Sequence, residues 1–264
     1  MPELPDVEVF RRYFNRTSLN KKIESVDVDT AKVLNGVSMK KLEQEVKGQS
    51  FTDSERRGKH MFARLSGGGW IHFHFGMTGF LKLYKKDESS PGHPRVVFNF
   101  GDGYSLAWDS QRMIGRVSLA EAPDKYAEQN DIGPDAMNIS KNEFIERIKS
   151  KSGMIKTALM DQSVVSGLGN VYSDEVLFQS RVHPKTRVGG LSREKLGEIY
   201  DNMQDVFETV IDSGIHPDDM PDRLMTAHRG RDNQCPGGCG GKMEKIKISG
   251  RNGYVCPNCQ KQGS

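Results

Sequence analysis

All four cysteines of the 264-residue chain fall within its last 30 residues. Cys235 and Cys239 form a C-x3-C pair, Cys256 and Cys259 a C-x2-C pair, and 16 residues separate the pairs. Two close pairs of thiolates on tight turns are how a structural, tetrahedral zinc site is built. Pro236, Gly237, Gly238 and Pro257 supply the turns, and residues 242–255 read as a β-hairpin turning at Ser249-Gly250. The chain has no apolar run near the roughly 18–20 residues needed to span a bilayer. Its N-terminus lacks the pattern of a signal peptide. It therefore reads as a cytoplasmic, nucleoid-associated protein, where clustered cysteines indicate metal rather than disulfides. One structural Zn2+ is expected, and no membrane association.

The net charge of +3 decides little, but its placement is informative. Residues 223–264 hold eight Lys or Arg against two acids, Asp232 and Glu244. A ribbon with that excess suits a phosphate backbone.

Residues 3–15 read as a short helix opened by Pro2 and Pro5. From Lys22 to about Ala120 the pattern alternates in short Val-, Ile- and Phe-rich runs. The runs are 23–29, 60–65, 70–76, 80–84, 95–100 and 104–109, separated by Gly-rich turns. That is the signature of an antiparallel sandwich or barrel, with a helix at 36–47 inside it. From Lys141 the chain turns helical, with candidates at 141–150, 153–161, 170–180 and 192–212. The last carries a long apolar stripe and Ser192 as N-cap. Residues 121–140 read as an interdomain link.

The opening is Met1-Pro2-Glu3-Leu4-Pro5-Asp6-Val7-Glu8. Removal of Met1 leaves Pro2 with a secondary amine. An α-amine titrates near 7.7–8, far below the roughly 10.4 of lysine, so much of it is neutral at pH 7. Such an amine can attack a sugar C1′ and form a Schiff base. Glu3 beside it has the chemistry of a general acid/base.

Three further motifs follow in order: Arg56-Arg57-Gly58-Lys59-His60; Asp161-Gln162 through Gly167-Leu168-Gly169-Asn170-Val171-Tyr172-Ser173-Asp174-Glu175; and the cysteine ribbon ending Cys256-Pro257-Asn258-Cys259-Gln260-Lys261. With the opening, these resemble the formamidopyrimidine-DNA glycosylase/endonuclease VIII family over essentially the whole chain. The resemblance implies an α+β fold. Its parts are an N-terminal antiparallel β-sandwich with an N-terminal helix (1–130), a helical helix-two-turn-helix domain (131–220) and a β-hairpin zinc ribbon (221–264). It implies a monomeric DNA repair enzyme that takes duplex DNA with a damaged base or abasic site into a cleft. There it flips the damaged nucleotide, removes the oxidised base through Pro2 and nicks the strand by β/δ-elimination.

The resemblance also assigns roles. Pro2 is the nucleophile, Glu3 the acid/base, and Lys59 a catalytic lysine near the lesion phosphate. Met77 fills the void left by the flipped base and Arg112 faces the orphaned base. Asn170, Lys156, Lys151 and His93 are DNA contacts, and Arg251 grips the flanking phosphates from the ribbon. Backbone amides at the start of the helix after Gly169 are expected to favour an anion.

Four departures qualify the match, the first being the C-x3-C spacing of Cys235 and Cys239 where C-x2-C is more common. Asp6 stands where the family uses Glu. Asp109-Ser110-Gln111-Arg112-Met113-Ile114-Gly115 lacks the family's wedge phenylalanine, leaving Met113 or Ile114 in that place. Residues 214–234 lack the Gly/Thr-rich loop of members that prefer 8-oxoguanine, so that lesion is not implied. The rival readings are a non-catalytic zinc-ribbon DNA-binding protein of the same fold and an RNA- or ribosome-associated ribbon protein. Intact Pro2, Glu3 and Lys59 speak against both.

Overall fold

The structure is a computed structural model, and it describes residues 1–229 and 233–261. Gly230, Arg231, Asp232 and the last three residues, which include part of the basic tail and of the 214–234 segment, lie outside the described residues. The chain divides into two units: Met1–Pro2 with Asp6–Asn130, and Glu3–Pro5 with Asp131–Ser264.

Helix α1 (Leu4–Ser18), three residues longer at its C-terminal end than the sequence reading, belongs to the first unit from Asp6 on. Strand β1 (Ile23–Val28), helix α2 (Met39–Val46) and strand β2 (Phe51–Arg57) follow. Then come β3 (His60–Leu65), β4 (Trp70–His74), β5 (Phe80–Lys85), β6 (Pro94–Phe100), β7 (Tyr104–Asp109) and β8 (Arg116–Ala120), and helix α3 (Pro123–Gln129) closes the unit. Two four-stranded antiparallel sheets form, ordered β1-β6-β7-β5 and β2-β3-β4-β8. The alternating apolar positions fill one core, in which Phe14, Phe51, Phe73, Phe98, Phe100 and Trp108 are fully buried. Phe51 is met edge-on by Phe14 at 5.1 Å and by Phe98 at 5.4 Å, the T-shaped arrangement that aromatic rings favour. Strands β2 and β8 were not legible. β2 is an edge strand whose Thr52 and Asp53 are exposed, so its sequence FTDSERR hides the alternation.

The second unit holds α4 (Lys141–Lys149), α5 (Ile155–Met160), α6 (Asn170–Gln179), α7 (Arg193–Ser213) and the hairpin β9 (Glu244–Ile248)–β10 (Arg251–Val255). Ser192 caps α7 by accepting from the Lys195 amide, and Gly214 ends it in the left-handed conformation. The hairpin turns at Ser249-Gly250, both at positive φ, which matches the right-handed twist of the strands. Helices α4 to α7 share a core with Leu4 in it. A smaller core of Phe178, Met225, Met243, Cys235 and Cys256 lies at the ribbon.

The boundary between the units, Asn130 to Asp131, falls inside the expected link at 121–140, but the link is structured rather than extended. Pro123–Gln129 is helical, starting with Pro at its first position, and Asp135, Ala136 and Ile139 are buried. Its polar composition concealed the Ala136 and Ile139 anchors. Among the described residues no helix is long and apolar enough to cross a membrane.

Candidate active site and metal centre

Glu3 is fully buried. Its carboxylate accepts backbone N–H groups from Gly169 (2.7 Å), Val171 (2.8 Å) and Tyr172 (3.1 Å). These amides open α6, whose N-cap, Gly169, offers no side chain of its own. A helix N-terminus presents orphan donors and a partial positive charge, so a carboxylate is held strongly there. The Leu4 amide donates to Gly167 O at 3.1 Å, closing the chain onto the same turn. The two glycines permit this approach. A Cβ on Gly169 would lie 2.4 Å from the Glu3 carboxyl carbon, and one on Gly167 would lie 2.4 Å from Leu4 Cδ1. The amides that the sequence reading reserved for a DNA anion are therefore filled by the chain's own acid. Asn170 turns its Nδ2 to Asn252 O at 2.9 Å, and its buried Oδ1 has no partner.

One turn further along α6, Asp174 is fully buried and holds two cations. Lys156 donates to Oδ1 at 2.5 Å and Arg229 to Oδ2 at 2.7 Å, with the Tyr254 amide on Oδ2 at 3.2 Å. Burial works against both charges of the inner pair. It pushes the Asp174 carboxyl up and the Lys156 ammonium down, and the opposite partner charges resist this. Lys156 is 1% exposed, so its expected role as a phosphate contact is corrected: its charge is spent inside the protein. Lys151, also expected on DNA, pairs on the surface with Asp161 at 3.1 Å. Arg251 opens β10 beside the hairpin turn and is exposed, with only a long contact to Met160 Sδ at 3.9 Å. It lines a groove with Lys156, Thr157, Met160, Asp161, Ile248 and Ser249.

In the first unit, Pro2 is half-buried behind an exposed Met1. Lys59 sits in the β2–β3 turn, half-buried. That turn is fastened by Arg56, which donates to Gly58 O at 3.2 Å and to Glu8 of α1 at 3.2 Å. Glu8 also accepts from Nε and Nη2 of Arg11. The next residue, His60, meets His72 nitrogen to nitrogen at 2.8 Å, and His72 meets Ser118 Oγ at 2.9 Å. Tyr126 of α3 lies over His72 at 4.2 Å. Burial, then the charges of His74 and Lys59, push His60 down to about 3. Burial lowers His72 well below the ordinary histidine value and lowers His74 as well. All three rings are neutral at pH 7. Met77 is 39% exposed and Arg112 is exposed, its amide held by Thr78 Oγ1 at 3.1 Å. Met113, at φ +50, packs against the core, whereas Ile114 is 45% exposed, so Ile114 is the protruding apolar side chain of that loop. His93 is exposed, and its backbone N–H is fixed by Asp109 at 2.6 Å.

The four cysteine sulfurs lie within 4.8 Å of one another. Cys235 and Cys259 are 3.7 Å apart, Cys239 and Cys256 3.5 Å. A tetrahedral zinc with Zn–S near 2.3 Å requires sulfurs about 3.8 Å apart, and the cluster fits. Burial drives Cys235 up to about 11, so a fully ionised cluster calls for a cation.

Comparison with known proteins agrees with this geometry. Residues 1–117 match the family model of the formamidopyrimidine-DNA glycosylase N-terminal domain, residues 132–219 that of its H2TH domain, and residues 235–262 that of a zinc finger found in FPG and IleRS. The formamidopyrimidine-DNA glycosylase of Exiguobacterium sibiricum is 34% identical over 98% of this chain and 99% of its own length. That of Mycoplasma genitalium is 31% identical over 99% and 96%. The chain belongs to the formamidopyrimidine-DNA glycosylase family. Lactococcus lactis Fpg solved with abasic-site DNA superposes with a TM-score of 0.89 at 25% identity, covering 99% of this chain and all of that one. A second complex of Lactococcus lactis Fpg, with DNA containing N7-benzyl-Fapy-dG, gives 0.88 at 25% identity. As a member of the glycosylase family the chain is a DNA repair glycosylase with a zinc finger whose ligands are Cys235, Cys239, Cys256 and Cys259.

Sequence reasoning missed the acids that organise this glycosylase: Glu8, Asp174 and Glu175. Glu175, fully buried, takes the amides of Met225 (3.1 Å) and Thr226 (2.7 Å). A signal was present. Asp174 and Glu175 interrupt an otherwise apolar stretch that is buried from Tyr172 to Phe178, and acids in such a place are paired.

Two predictions follow from the geometry. Gly169→Ala should displace Glu3 from its amides, lowering thermal stability by several degrees and base excision by at least tenfold; unchanged excision at full fold would contradict the packing described. The neutral histidines should make the first unit acid-sensitive. Their folded pKa values lie below the unfolded value near 6.5, so below that pH the unfolded chain takes up protons that the native one refuses. Stability is then complete above about pH 6.5 and falls as the pH drops, for His60 down to about pH 3, by up to about 1.4 kcal/mol per pH unit for each group still refusing its proton. Urea midpoints at pH 7.5 and 5 check this, and His60→Gln should flatten the slope.

Proposed function

We propose that the chain excises an oxidised or ring-opened base from duplex DNA with Pro2 as nucleophile, then cleaves the strand at the resulting abasic site. The observation that carries this is the fully buried Glu3 carboxylate, fixed by three amides, with Pro2 as the next residue toward the N-terminus. Once Met1 is removed, the Pro2 nitrogen attacks C1′. The N-glycosidic bond breaks, the base leaves and takes up a proton, and an iminium links Pro2 to the opened sugar. The iminium acidifies the 2′ hydrogen. Loss of that proton expels the 3′ phosphate, and a second elimination expels the 5′ phosphate. Hydrolysis of the imine returns the free amine. Glu3 is the acid/base of the opening steps, and Lys59, beside neutral histidines, supplies the local cation.

Met77 and Ile114 are the apolar side chains that occupy the space of an extruded nucleotide. Arg112 faces the base left behind, and Asn170 and His93 are further DNA contacts. Arg251 grips phosphate from the ribbon, which zinc holds in shape. Met1 retention turns the Pro2 nitrogen into an amide and blocks both activities.

Borohydride trapping on abasic duplex tests the reading, with the adduct expected on the N-terminal peptide; an adduct on a lysine peptide sinks it. Glu3→Gln should slow base removal far more than cleavage of a preformed abasic site. Arg251→Ala should weaken binding to every sequence and flatten the dependence of log affinity on log salt by about one unit. An unchanged slope removes Arg251 from the phosphates.

A further inference from the structure

Four charged side chains share the first turns of α6. Glu3 lies on the amides of Gly169, Val171 and Tyr172, and Asp174, one turn on, lies between Lys156 and Arg229. Glu3, Asp174 and Lys156 are sealed from water, whereas the Arg229 side chain keeps 14% exposure and stacks on Tyr254 at 5.0 Å. Gly253 of β10 lies directly over the inner pair: a Cβ there would be 2.9 Å from Lys156 Nζ. The hairpin thus closes one side of the Lys156 ammonium, which is only 1% exposed although the residue borders the groove under Arg251. The ammonium feels the charge of Glu3 as well as that of Asp174. A buried cation needs a carboxylate, and among these four groups it has two to choose from.

We propose that Asp174 is a positioning residue that holds Lys156 away from Glu3, leaving the Glu3 carboxylate to its amides and to the reaction. The inference rests on the reading of Glu3 as the acid/base of base removal. Neutralising Asp174 leaves Glu3 as the other carboxylate whose charge Lys156 feels. The ammonium then pairs with Glu3 and competes with the three N–H donors. What Asp174 supplies is a charge in the right place, so removing the Lys156 charge as well restores the balance.

The test is single-turnover excision on a duplex carrying a formamidopyrimidine residue, beside cleavage of a preformed abasic duplex. Asp174→Asn is expected to excise at least tenfold more slowly while cleaving the abasic site within about threefold of the parent. The double variant Asp174→Asn/Lys156→Gln is expected to recover excision to within about fivefold. A role in packing alone predicts the opposite order, with the double variant worse than the single one. If Asp174→Asn fails to fold, the double variant decides by itself. A double variant that does not fold, or that folds and excises no faster than Asp174→Asn or than one-tenth of the parent rate, overturns the proposal. Glu3→Gln, run in parallel, separates the two readings. If it excises at the parent rate, the role given to Glu3 fails; if it is impaired, the double variant reports on Asp174 alone.

Discussion

The bond set between the Glu3 carboxylate and the opening amides of α6 is the constraint on which the second unit depends. A helix start needs an acceptor for its orphan N–H groups. Here the N-cap is glycine and supplies none, so the acceptor comes from the beginning of the chain. The Gly167-Leu168-Gly169 turn is glycine-rich because Leu4 and Glu3 fill the space that side chains would take. Leu4 in turn belongs to the core of α4 to α7. One carboxylate thereby completes a helix, and the residue after it seals the edge of a hydrophobic core.

A second theme is how acids are used. Glu3, Glu8, Asp174 and Glu175 are all buried, and each is fully engaged by backbone amides or by Lys and Arg. Burial of a carboxylate is costly unless hydrogen bonds or opposite charges offset it. The consequence is that several basic residues near the motifs serve these acids rather than nucleic acid. Lys156, Arg56 and Arg229 are of this kind, while Arg251 and Arg112 point their charge outward.

Much of this was legible beforehand. Helix α7, with its apolar stripe and Ser192 cap, was readable almost to the residue, as were the hairpin turn at Ser249-Gly250 and the clustering of the four cysteines. The reason is that each is specified locally, by periodicity, capping or turn chemistry. What was hidden depends on distant partners. β2 reads as polar because it is an edge strand. Residues 121–140 read as linker because their few apolar anchors, Ala136, Met137 and Ile139, are set among polar residues. Lys156 read as a surface cation because nothing near it in sequence announces Asp174, 18 residues on. The choice between Met113 and Ile114 was open because it turns on the left-handed backbone at Met113, which rotates one side chain inward and the next outward.

The Glu3 contact also spans 166 residues of sequence. During synthesis the segment 3–5 leaves the ribosome well before its partners and finds them only after residue 172 has emerged. Closure of so long a loop carries a large entropic cost and slows folding. The second unit is therefore completed late, by residues made long before the helix they cap. Until then the start of α6 lacks its acceptor and Leu4 stands outside its core. A nascent chain of this protein is thus held open at segment 3–5, and the unit closes with a long-range step of folding.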